Sequence, residues 1–271
     1  MMLVKIPIES SKESAGCREA GNAVISQIPA NYSNETGKNF SKFDLNIEEI
    51  HLDNSKLKQA HALIYENSIE LIETNKKVVF LGGDHSLTFS TALAFKEVCD
   101  NENKQNREDK EPFLIIFDAH ADCEEYSGIP NSRQWLRALI EKGFNAEKII
   151  LAGFRTGDSE EIAFLKSAGA RIYAMKDMND FEELCDIIME LARENNIYLS
   201  IDIDAADAVF VPGTAHPESA GLTSRQLVYF VQRISMLKNL RVVDITEINP
   251  KKDIKEATVK FGAKIAIEVL N

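Results

Sequence analysis

Two short apolar runs, residues 113–117 and 197–201, each end in a group of ionisable side chains. The groups are Asp118-Ala-His120-Ala-Asp122 and Asp202-Ile-Asp204. Short continuous apolar runs are typical of buried parallel strands, and side chains two positions apart in an extended segment share a face. The members of each group can therefore converge. Because unpaired buried charges cost several kcal/mol per ion, the pattern predicts that bound cations offset them.

A third apolar run, residues 78–81, ends in Gly82-Gly83-Asp84-His85, so the imidazole of His85 can join the same cluster. The cluster then has two neutral imidazoles and four aspartates, whose charge two divalent cations would balance. Carboxylates bridge metal ions about 3.5–4 Å apart. Oxygen ligands together with imidazoles favour Mn(II), with Fe, Co, Ni and Zn as alternatives. The predicted ligands of this dinuclear site are His85, Asp118, His120, Asp122, Asp202 and Asp204.

Eight strand-like runs alternate along the chain with segments of helical periodicity. The runs are 3–7, 47–52, 78–81, 113–117, 149–152, 171–174, 198–203 and 240–245. Between two of them, Leu57, Ala60 and Ile64 form one stripe of a predicted helix, and Thr223-Ser-Arg-Gln226 fits a capping box. The alternation predicts an α/β fold with a mostly parallel sheet and helices on both faces. Ligands bind beyond the carboxyl ends of the strands in such folds, where the predicted metal ligands lie.

Length and composition limit the possible classes of protein. A chain of 271 residues with 44% hydrophobic residues is within the range of one large α/β domain, so we expect a single domain over residues 1–271. The formal charge of −12 argues against a nucleic-acid or anionic-membrane surface, because both require clustered Lys and Arg. The absence of a signal peptide and of a long apolar stretch predicts a cytoplasmic protein without a membrane segment. The polar segment 101–111 is expected to be a surface loop.

Four sequence motifs follow one another along the chain. They are Gly82-Gly83-Asp84-His85-Ser86, Asp118-Ala-His120-Ala-Asp122, Ser200-Ile-Asp202-Ile-Asp204 and Gly221-Leu-Thr223-Ser-Arg225. In this order they resemble the motifs of the ureohydrolases, the family of arginases, agmatinases and their relatives, and the similarity extends roughly from Cys17 to Asp253. The resemblance implies an arginase-like fold of three layers, α/β/α, around an eight-stranded, mostly parallel sheet. It also implies hydrolysis of a small guanidino substrate to urea and an amine at two Mn(II) ions per subunit, in a trimer or hexamer.

The resemblance also implies roles for particular residues. One metal ion would be held by His85, Asp118, Asp122 and Asp202, and the other by Asp118, His120, Asp202 and Asp204, with Asp118 and Asp202 as bridges. Asp122 would also orient the nucleophile and carry its proton to the leaving amine. Glu247 matches the family glutamate that binds the guanidinium, and a carboxylate pairs with that planar group through two bonds. The predicted catalytic residues are therefore Asp122 and Glu247.

One position departs from the family pattern. Ser132 stands where the family commonly has a histidine, with Arg133 beside it, and a serine cannot shuttle protons as an imidazole does. His216, in the loop after Asp204, can line the substrate mouth and partly replace that imidazole. The candidate substrate-binding residues are Ser132, Arg133, His216 and Glu247. The departure leaves open slower turnover, a different substrate, or an inactive metal-binding relative with a binding or regulatory role.

Three further points stay open at the level of sequence. Glu124 and Glu125 follow a ligand motif and would favour a cationic substrate tail, which places agmatine slightly ahead of arginine, whereas Arg133 would reverse that preference. Arg155, after residues 149–154, can reach either the site or a subunit interface. A mononuclear zinc enzyme of deacetylase type on the same fold is disfavoured, because the cluster supplies more ligands than one zinc ion needs.

Overall fold

A computed structural model of the protein describes residues 2–29, 31–42, 45–106 and 110–270. Strands and helices alternate along most of this length. The strands are β1 (Met2–Ile6), β2 (Asn31–Ser33), β3 (Asn39–Ser41), β4 (Asn46–Glu49), β5 (Val78–Gly82), β6 (Pro112–Phe117), β7 (Ile149–Phe154), β8 (Arg171–Ala174), β9 (Asn196–Asp202) and β10 (Leu240–Thr246). The helices are α1 (Ala20–Gln27), α2 (Leu57–Thr74), α3 (Leu87–Asn106), α4 (Trp135–Glu141), α5 (Ser159–Ala168), α6 (Phe181–Ala192), α7 (Ser224–Ser235) and α8 (Ala257–Val269).

One sheet contains eight strands in the order β4-β1-β5-β10-β9-β6-β7-β8. Every adjacent pair in this sheet is parallel. The strands β2 and β3 form a separate antiparallel pair. All eight predicted runs overlap the strands of the large sheet, so the predicted parallel sheet is confirmed.

The two faces of the sheet carry separate hydrophobic cores, because alternate side chains of a strand point to opposite faces. In β6, Phe113, Ile115 and Phe117 pack with residues of α1, α6, α7 and α8. Leu114 and Ile116 pack with residues of α2, α3, α4 and α5 on the other face. Burial on both faces explains why the central strands are continuous apolar runs in the sequence. The structure therefore has the three α/β/α layers that the resemblance implies.

Two local predictions concern helix ends. The capping box at α7 is confirmed, because the Thr223 hydroxyl accepts from the backbone of Gln226 while the Gln226 side chain accepts from the backbone of Thr223. The loop predicted for residues 101–111 is wrong in its first half, since α3 continues to Asn106. Lys96 and Asp100, one turn apart, form an ion pair of 2.6 Å that stabilises this solvated end of the helix. Residues 107–109 lie outside the described residues.

The carboxyl ends of four adjacent strands, β5, β10, β9 and β6, lie side by side at one edge of the sheet. His85 follows β5, Glu247 follows β10, and Asp118 follows β6. Asp202 is the last residue of β9, and Asp204 comes two positions later. Parallel pairing thus brings ionisable residues from distant parts of the chain to one edge.

Candidate metal centre

One group of possible ligand atoms surrounds the buried imidazole of His85. Its Nδ1 atom lies near one oxygen from each of three aspartates: Asp118 (3.0 Å), Asp122 (3.0 Å) and Asp202 (3.3 Å). None of these oxygens is aligned for a hydrogen bond with Nδ1, so this buried nitrogen has no aligned partner among the described residues. Three carboxylate oxygens that converge on one unpaired nitrogen fit a divalent cation, whose charge would offset theirs.

A second group surrounds His120, nearer the surface. The Nδ1 atom of His120 is 3.0 Å from an oxygen of Asp204 and 3.6 Å from an oxygen of Asp118. Asp118 therefore contributes to both groups, as a bridging ligand would. Asp202, the other expected bridge, lies in the first group, and its Oδ1 accepts from the backbone N–H of Asp204 at 2.9 Å, which links it to the second group.

Asp122 is held in an unusual backbone conformation. Its φ of 49° is in the left-handed region, which costs a non-glycine residue about 1–3 kcal/mol. Two contacts with the start of α4 stabilise it. The backbone N–H of Leu136 donates to its carbonyl at 3.1 Å, and the indole N–H of Trp135 donates to its Oδ2 at 2.8 Å. The strained turn thus aims the carboxylate at the cluster.

Burial and mutual repulsion shift the pKa values of the cluster. Burial, followed by the charges of Asp204 and Asp118, raises the pKa of Asp202 well above its usual range. Burial and then the charge of Asp118 raise the pKa of Asp122 to about 6. Burial acts to lower the pKa of His120, but Asp118 and Asp204 outweigh it and raise that pKa to about 12. In the protein alone, bound protons therefore offset the charge that metal ions would offset.

The other nitrogen of His85 belongs to a buried chain of hydrogen bonds. Its Nε2 lies 2.9 Å from the Oγ of Ser200, which lies 2.7 Å from an oxygen of Asp244. Asp244 also accepts from the hydroxyls of Tyr198 (2.6 Å) and Thr88 (2.8 Å). Because Ser200 has one hydroxyl proton, it donates to Asp244 and accepts from His85. A neutral His85 then has a lone pair on Nδ1, the atom that faces the three aspartates.

Glu247 lies beside the cluster with a φ of 62°. Its backbone N–H donates to the carbonyl of Gly83 at 3.0 Å, and its Oε1 accepts from the backbone N–H of His85 at 2.8 Å. Its Oε2 is 3.7 Å from the Sγ of Cys17. Burial, followed by the charge of Asp84, raises the pKa of Glu247 well above its usual range. This oriented and largely desolvated carboxylate is suited to pair with a cation.

A cavity of about 460 Å³ adjoins the cluster. All four predicted substrate-binding residues line it: Glu247, Ser132, Arg133 and His216. The lining also includes Glu124, Thr156, Gly157, Asp158, Glu161 and Glu218. The structure therefore brings every predicted site residue to one end of the sheet.

The predicted substrate-binding residues other than Glu247 differ in their surroundings. Ser132 is buried, and its backbone N–H donates to the Oγ of Ser10 at 3.1 Å. Arg133 forms an ion pair of 2.7 Å with Glu124, so its charge is already compensated. The ring of His216 packs edge-on against His120 with 6.0 Å between centroids. An imidazole therefore does lie at the cavity, although not at the position of Ser132.

Sequence analysis assigned no role to several residues that contact the centre. Asp244 is an aspartate in the middle of an apolar strand run, the kind of signal that identified Asp118 and Asp202. Glu218 lies 3.6 Å from the Nε2 of His120, but it comes from a long loop without a motif. Asp158 lines the cavity in the loop after β7, and only its position beyond a strand end could have indicated it.

The fold and the cluster together define a class of protein: a parallel α/β/α protein with a candidate two-metal centre at the carboxyl edge of its sheet. A family model described as the Arginase family matches residues 1–271, and the chain therefore belongs to the arginase family. The resemblance read from the four motifs is thus confirmed.

Individual relatives carry the names of more than one enzyme. Arginase-2, mitochondrial, of Bos taurus is 29% identical over 218 residues, which cover 71% of this chain and 58% of that protein. The match thus spans less than two thirds of that relative. The agmatinase of Bacillus subtilis is 28% identical over 212 residues, which cover 77% of this chain and 68% of that protein. A crystal structure of formimidoylglutamase from Bacillus subtilis has the same fold, with a TM-score of 0.87 at 22% identity over 99% of this chain and 85% of that one.

Within the described residues, each helix is too short or too polar to cross a membrane. The single domain over residues 1–271, the cytoplasmic location and the trimer or hexamer stay predictions.

Proposed function

We propose that this chain is a hydrolase that uses two divalent metal ions to cleave a guanidino C–N bond, and that it releases urea and an amine. The supporting observation is the pair of ligand groups that share Asp118 and lie next to the carboxylate of Glu247. A metal centre alone is compatible with many hydrolases. The buried carboxylate beside it adds a binding site for a planar cation, which a guanidino substrate provides.

The side chains present fit two ions. We assign His85, Asp118, Asp122 and Asp202 to one ion, and Asp118, His120, Asp202 and Asp204 to the other. Mn(II) is the expected metal because carboxylate oxygens outnumber imidazole nitrogens in this set. When bound, the ions would supply a nucleophilic water whose pKa is lowered towards neutrality.

Glu247 would bind and orient the guanidinium. The backbone N–H of His85 holds its Oε1 at 2.8 Å, which fixes the plane of the carboxylate. The residue is 5% exposed, so hydrogen bonds between it and a guanidinium would form largely out of water, where they are strong. The guanidinium carbon would then face the neighbouring ligand groups.

Asp122 would transfer the proton. The indole N–H of Trp135 donates to its Oδ2 and fixes the orientation of the carboxylate. In the reaction, a C–O bond forms at the guanidinium carbon and the C–N bond to the substrate tail breaks. The electron pair of the broken bond stays on the leaving nitrogen. Asp122 would accept one proton of the water and pass it to this nitrogen, and the second proton would follow when the C–OH group becomes the carbonyl, which gives urea and a protonated amine.

The rest of the cavity favours a cationic substrate tail. Besides the cluster and Glu247, its charged lining consists of four carboxylates and one guanidinium: Glu124, Asp158, Glu161, Glu218 and Arg133. The excess negative charge attracts an ammonium group and repels a carboxylate. Arg133 does not reverse this preference, since it is paired with Glu124. We therefore expect agmatine to be a better substrate than arginine.

A substrate panel tests the proposal. Protein loaded with Mn(II) would be incubated with agmatine, arginine, guanidinobutyrate and a formimino compound, and urea and amine products would be quantified. We expect urea from at least one guanidino compound, with agmatine the best. The matched variant Glu247→Gln keeps the shape of the side chain and removes its charge. Its kcat/KM should fall about 10–100-fold, the usual effect of losing a charge-assisted hydrogen bond. Wild-type protein with two bound ions and no product from any compound would refute the proposal.

An inactive or weakly active relative with a binding role is the second candidate. The observation that favours it is Ser132, a buried serine that lines the cavity at the position of the family histidine. This candidate predicts two bound ions and guanidino binding without turnover in the wild type. The variant Ser132→His would then gain activity. Rapid turnover by the wild-type protein excludes it.

A further inference from the structure

Arg155, at the end of β7, contacts several loops of the site through its side chain. All of its acceptors are main-chain carbonyls. They belong to Ser219 (Nε, 2.9 Å), Gly153 and Ala205 (Nη1, 3.2 and 3.4 Å), and Asp204, Ala206 and Glu218 (Nη2, 2.7, 3.2 and 3.0 Å). A guanidinium has five N–H donors in a rigid plane and can serve so many acceptors at once. Arg155 thus joins the segment after β9 to residues 218–219.

The backbone around Arg155 is joined to a third segment. The N–H groups of Arg155 and Thr156 both donate to the carbonyl of Ala119, at 2.9 and 3.0 Å. Ala119 lies between Asp118, which belongs to both ligand groups, and His120, which belongs to the second group. The loops that follow β6, β7 and β9 are therefore linked through one residue.

Residues 205–222 form a loop whose two ends meet. The guanidinium of Arg155 lies at this base of the loop. The two ends are joined by hydrogen bonds from Asp207 to Leu222 (2.8 Å) and from Leu222 to Ala205 (3.0 Å). A further bond joins Ala208 to Glu218 (3.0 Å). This loop carries His216 and Glu218, and Asp204 immediately precedes it.

Gly221 leaves the room that the guanidinium occupies. A Cβ at this position would lie 2.6 Å from Nη2 of Arg155 and 2.7 Å from the backbone nitrogen of Asp207. Both distances are too short for a Cβ, so a methyl group here would displace the guanidinium and would also push on the backbone at the base of the loop. The variant Gly221→Ala therefore disturbs this junction, the backbone of Asp207 included, and leaves the Arg155 side chain chemically unchanged.

We propose that Arg155 is a positioning residue that fixes Asp204 and Glu218 relative to each other. Through Asp204 it would set the ligand group around His120, and through Glu218 it would set the negative charge that faces the substrate tail. This inference rests on the proposed function for its effect on catalysis. Its effect on the loop is independent of that function.

The variants Arg155→Lys and Gly221→Ala test this role from two directions. A lysine has one ammonium in place of the planar fork and cannot bond at once to the carbonyls of residues 204–206 and those of residues 218–219. Arg171→Lys is the matched control, because Arg171 is exposed and donates to the main-chain carbonyl of Glu147. Hydrogen exchange of the metal-free proteins is measured first, with the amides of Asp207, Ala208 and Leu222 as reporters.

We expect faster exchange at these three amides in both test variants, with protection elsewhere in the sheet unchanged. In Mn(II) titrations, one of the two ions should bind about 10–100-fold more weakly, as is typical when support for a metal ligand is lost. With agmatine, KM should rise more than kcat falls. With butylguanidine, which has no cationic tail, the KM should not change. The control variant should behave as the wild type in every measurement.

Wild-type protection of the three amides in both variants would overturn the inference. A uniform loss of protection over the whole chain would also overturn it, because Arg155 would then only stabilise the fold. If Arg155→Lys does not fold, Arg155→Gln replaces it, because Gly221→Ala alone also strains the backbone of Asp207. If the wild type binds no metal ion and forms no urea, the proposed function fails, whereas the exchange experiment still decides the role of Arg155 in the loop.

Discussion

The two ligand groups of the candidate centre are supported by different parts of the fold. His85 is fully buried and packs against Trp135 with 4.6 Å between ring centroids. Its Nε2 contacts Ser200, and through Ser200 it is linked to Asp244 in the middle of β10. The His85 group is therefore held by the central strands of the sheet.

The His120 group depends on loops instead. The side chain of His120 is 23% exposed and faces the cavity. Its partner Asp204 immediately precedes the loop of residues 205–222, its partner Glu218 lies within that loop, and Arg155 donates to the carbonyls of both. A two-metal centre of this kind combines a rigid half with a half that local loop structure can adjust. We therefore expect two unequal metal affinities, with the tighter ion on the His85 side.

The largest expected effect comes from removing what the two groups share. Asp118→Asn keeps the size of the side chain but removes the carboxylate that contributes to both groups. Both ions should be lost on dialysis, and urea formation should fall by more than about 100-fold, beyond the usual effect of an outer-shell change. Elemental analysis and the urea assay measure these changes. Retention of two ions by the variant would show that Asp118 is not a bridge.

A smaller effect, confined to one half, is expected from Asp244→Asn. The amide cannot accept from all of the hydroxyl donors around it, so the hydrogen bond from Ser200 and the orientation of His85 are weakened. The tighter phase of Mn(II) binding should weaken about 10–100-fold while the other phase is unchanged. Isothermal titration resolves the two phases. Asp186→Asn, which changes an exposed aspartate paired with Arg233, is the control. Equal weakening of both phases would contradict separate support of the two halves.

The third prediction concerns pH. With pKa values raised to about 6 for Asp122 and about 12 for His120, metal binding must displace a proton from His120 at every pH from about 5 to about 8, and from Asp122 below about pH 6. A carboxyl with a raised folded-state pKa stabilises the metal-free protein below its ordinary pKa of 3.8, and that contribution is lost as pH rises through about 6. Metal affinity changes in the opposite direction and rises with pH. The difference in Tm between loaded and metal-free protein should therefore widen from about pH 5 to about pH 8. A constant difference would count against metal binding by these groups.

The smallest effect is expected from Glu218→Gln on the exposed half. Glu218 is 31% exposed, so water and salt screen its charge. The KM for agmatine should rise by a factor of roughly 1.4 to 5, which corresponds to the 0.2–1 kcal/mol of an exposed ion pair. The difference from wild type should diminish at high salt, and steady-state kinetics at two salt concentrations would measure it. A decrease in kcat without a change in KM would indicate a different role for Glu218.

The same contrast explains how far sequence predicts the site. His85, Asp118 and Asp202 follow or end buried strands directly, so apolar patterning and the topology of parallel sheets place them together. Asp244 and Ser200 obey the same rules, but their role depends on pairing between β9 and β10, which a single sequence does not specify. The parts that sequence leaves open lie in loops.

Loop contacts depend on backbone geometry that has no sequence period. The choice between a role for Arg155 at the site and at a subunit interface could not be made from sequence. The structure shows the guanidinium bound to carbonyls of residues 204–206 and 218–219, whose positions depend on how the long loop closes. The extension of α3 to Asn106 has a similar origin, since a polar helix end and a polar loop have the same composition.

The position of β10 has a consequence for how the molecule is made. This strand, at residues 240–246, is the last strand described along the chain, yet it lies between β5 and β9 in the middle of the sheet. A nascent polypeptide therefore cannot close the sheet until residues 240–246 have been made, and the facing edges of β5 and β9 stay unpaired until then. Such long-range pairing is slow to form. The acidic cluster is consequently assembled in the final stage of folding, so a truncated or half-folded chain has no complete site with which to capture metal ions.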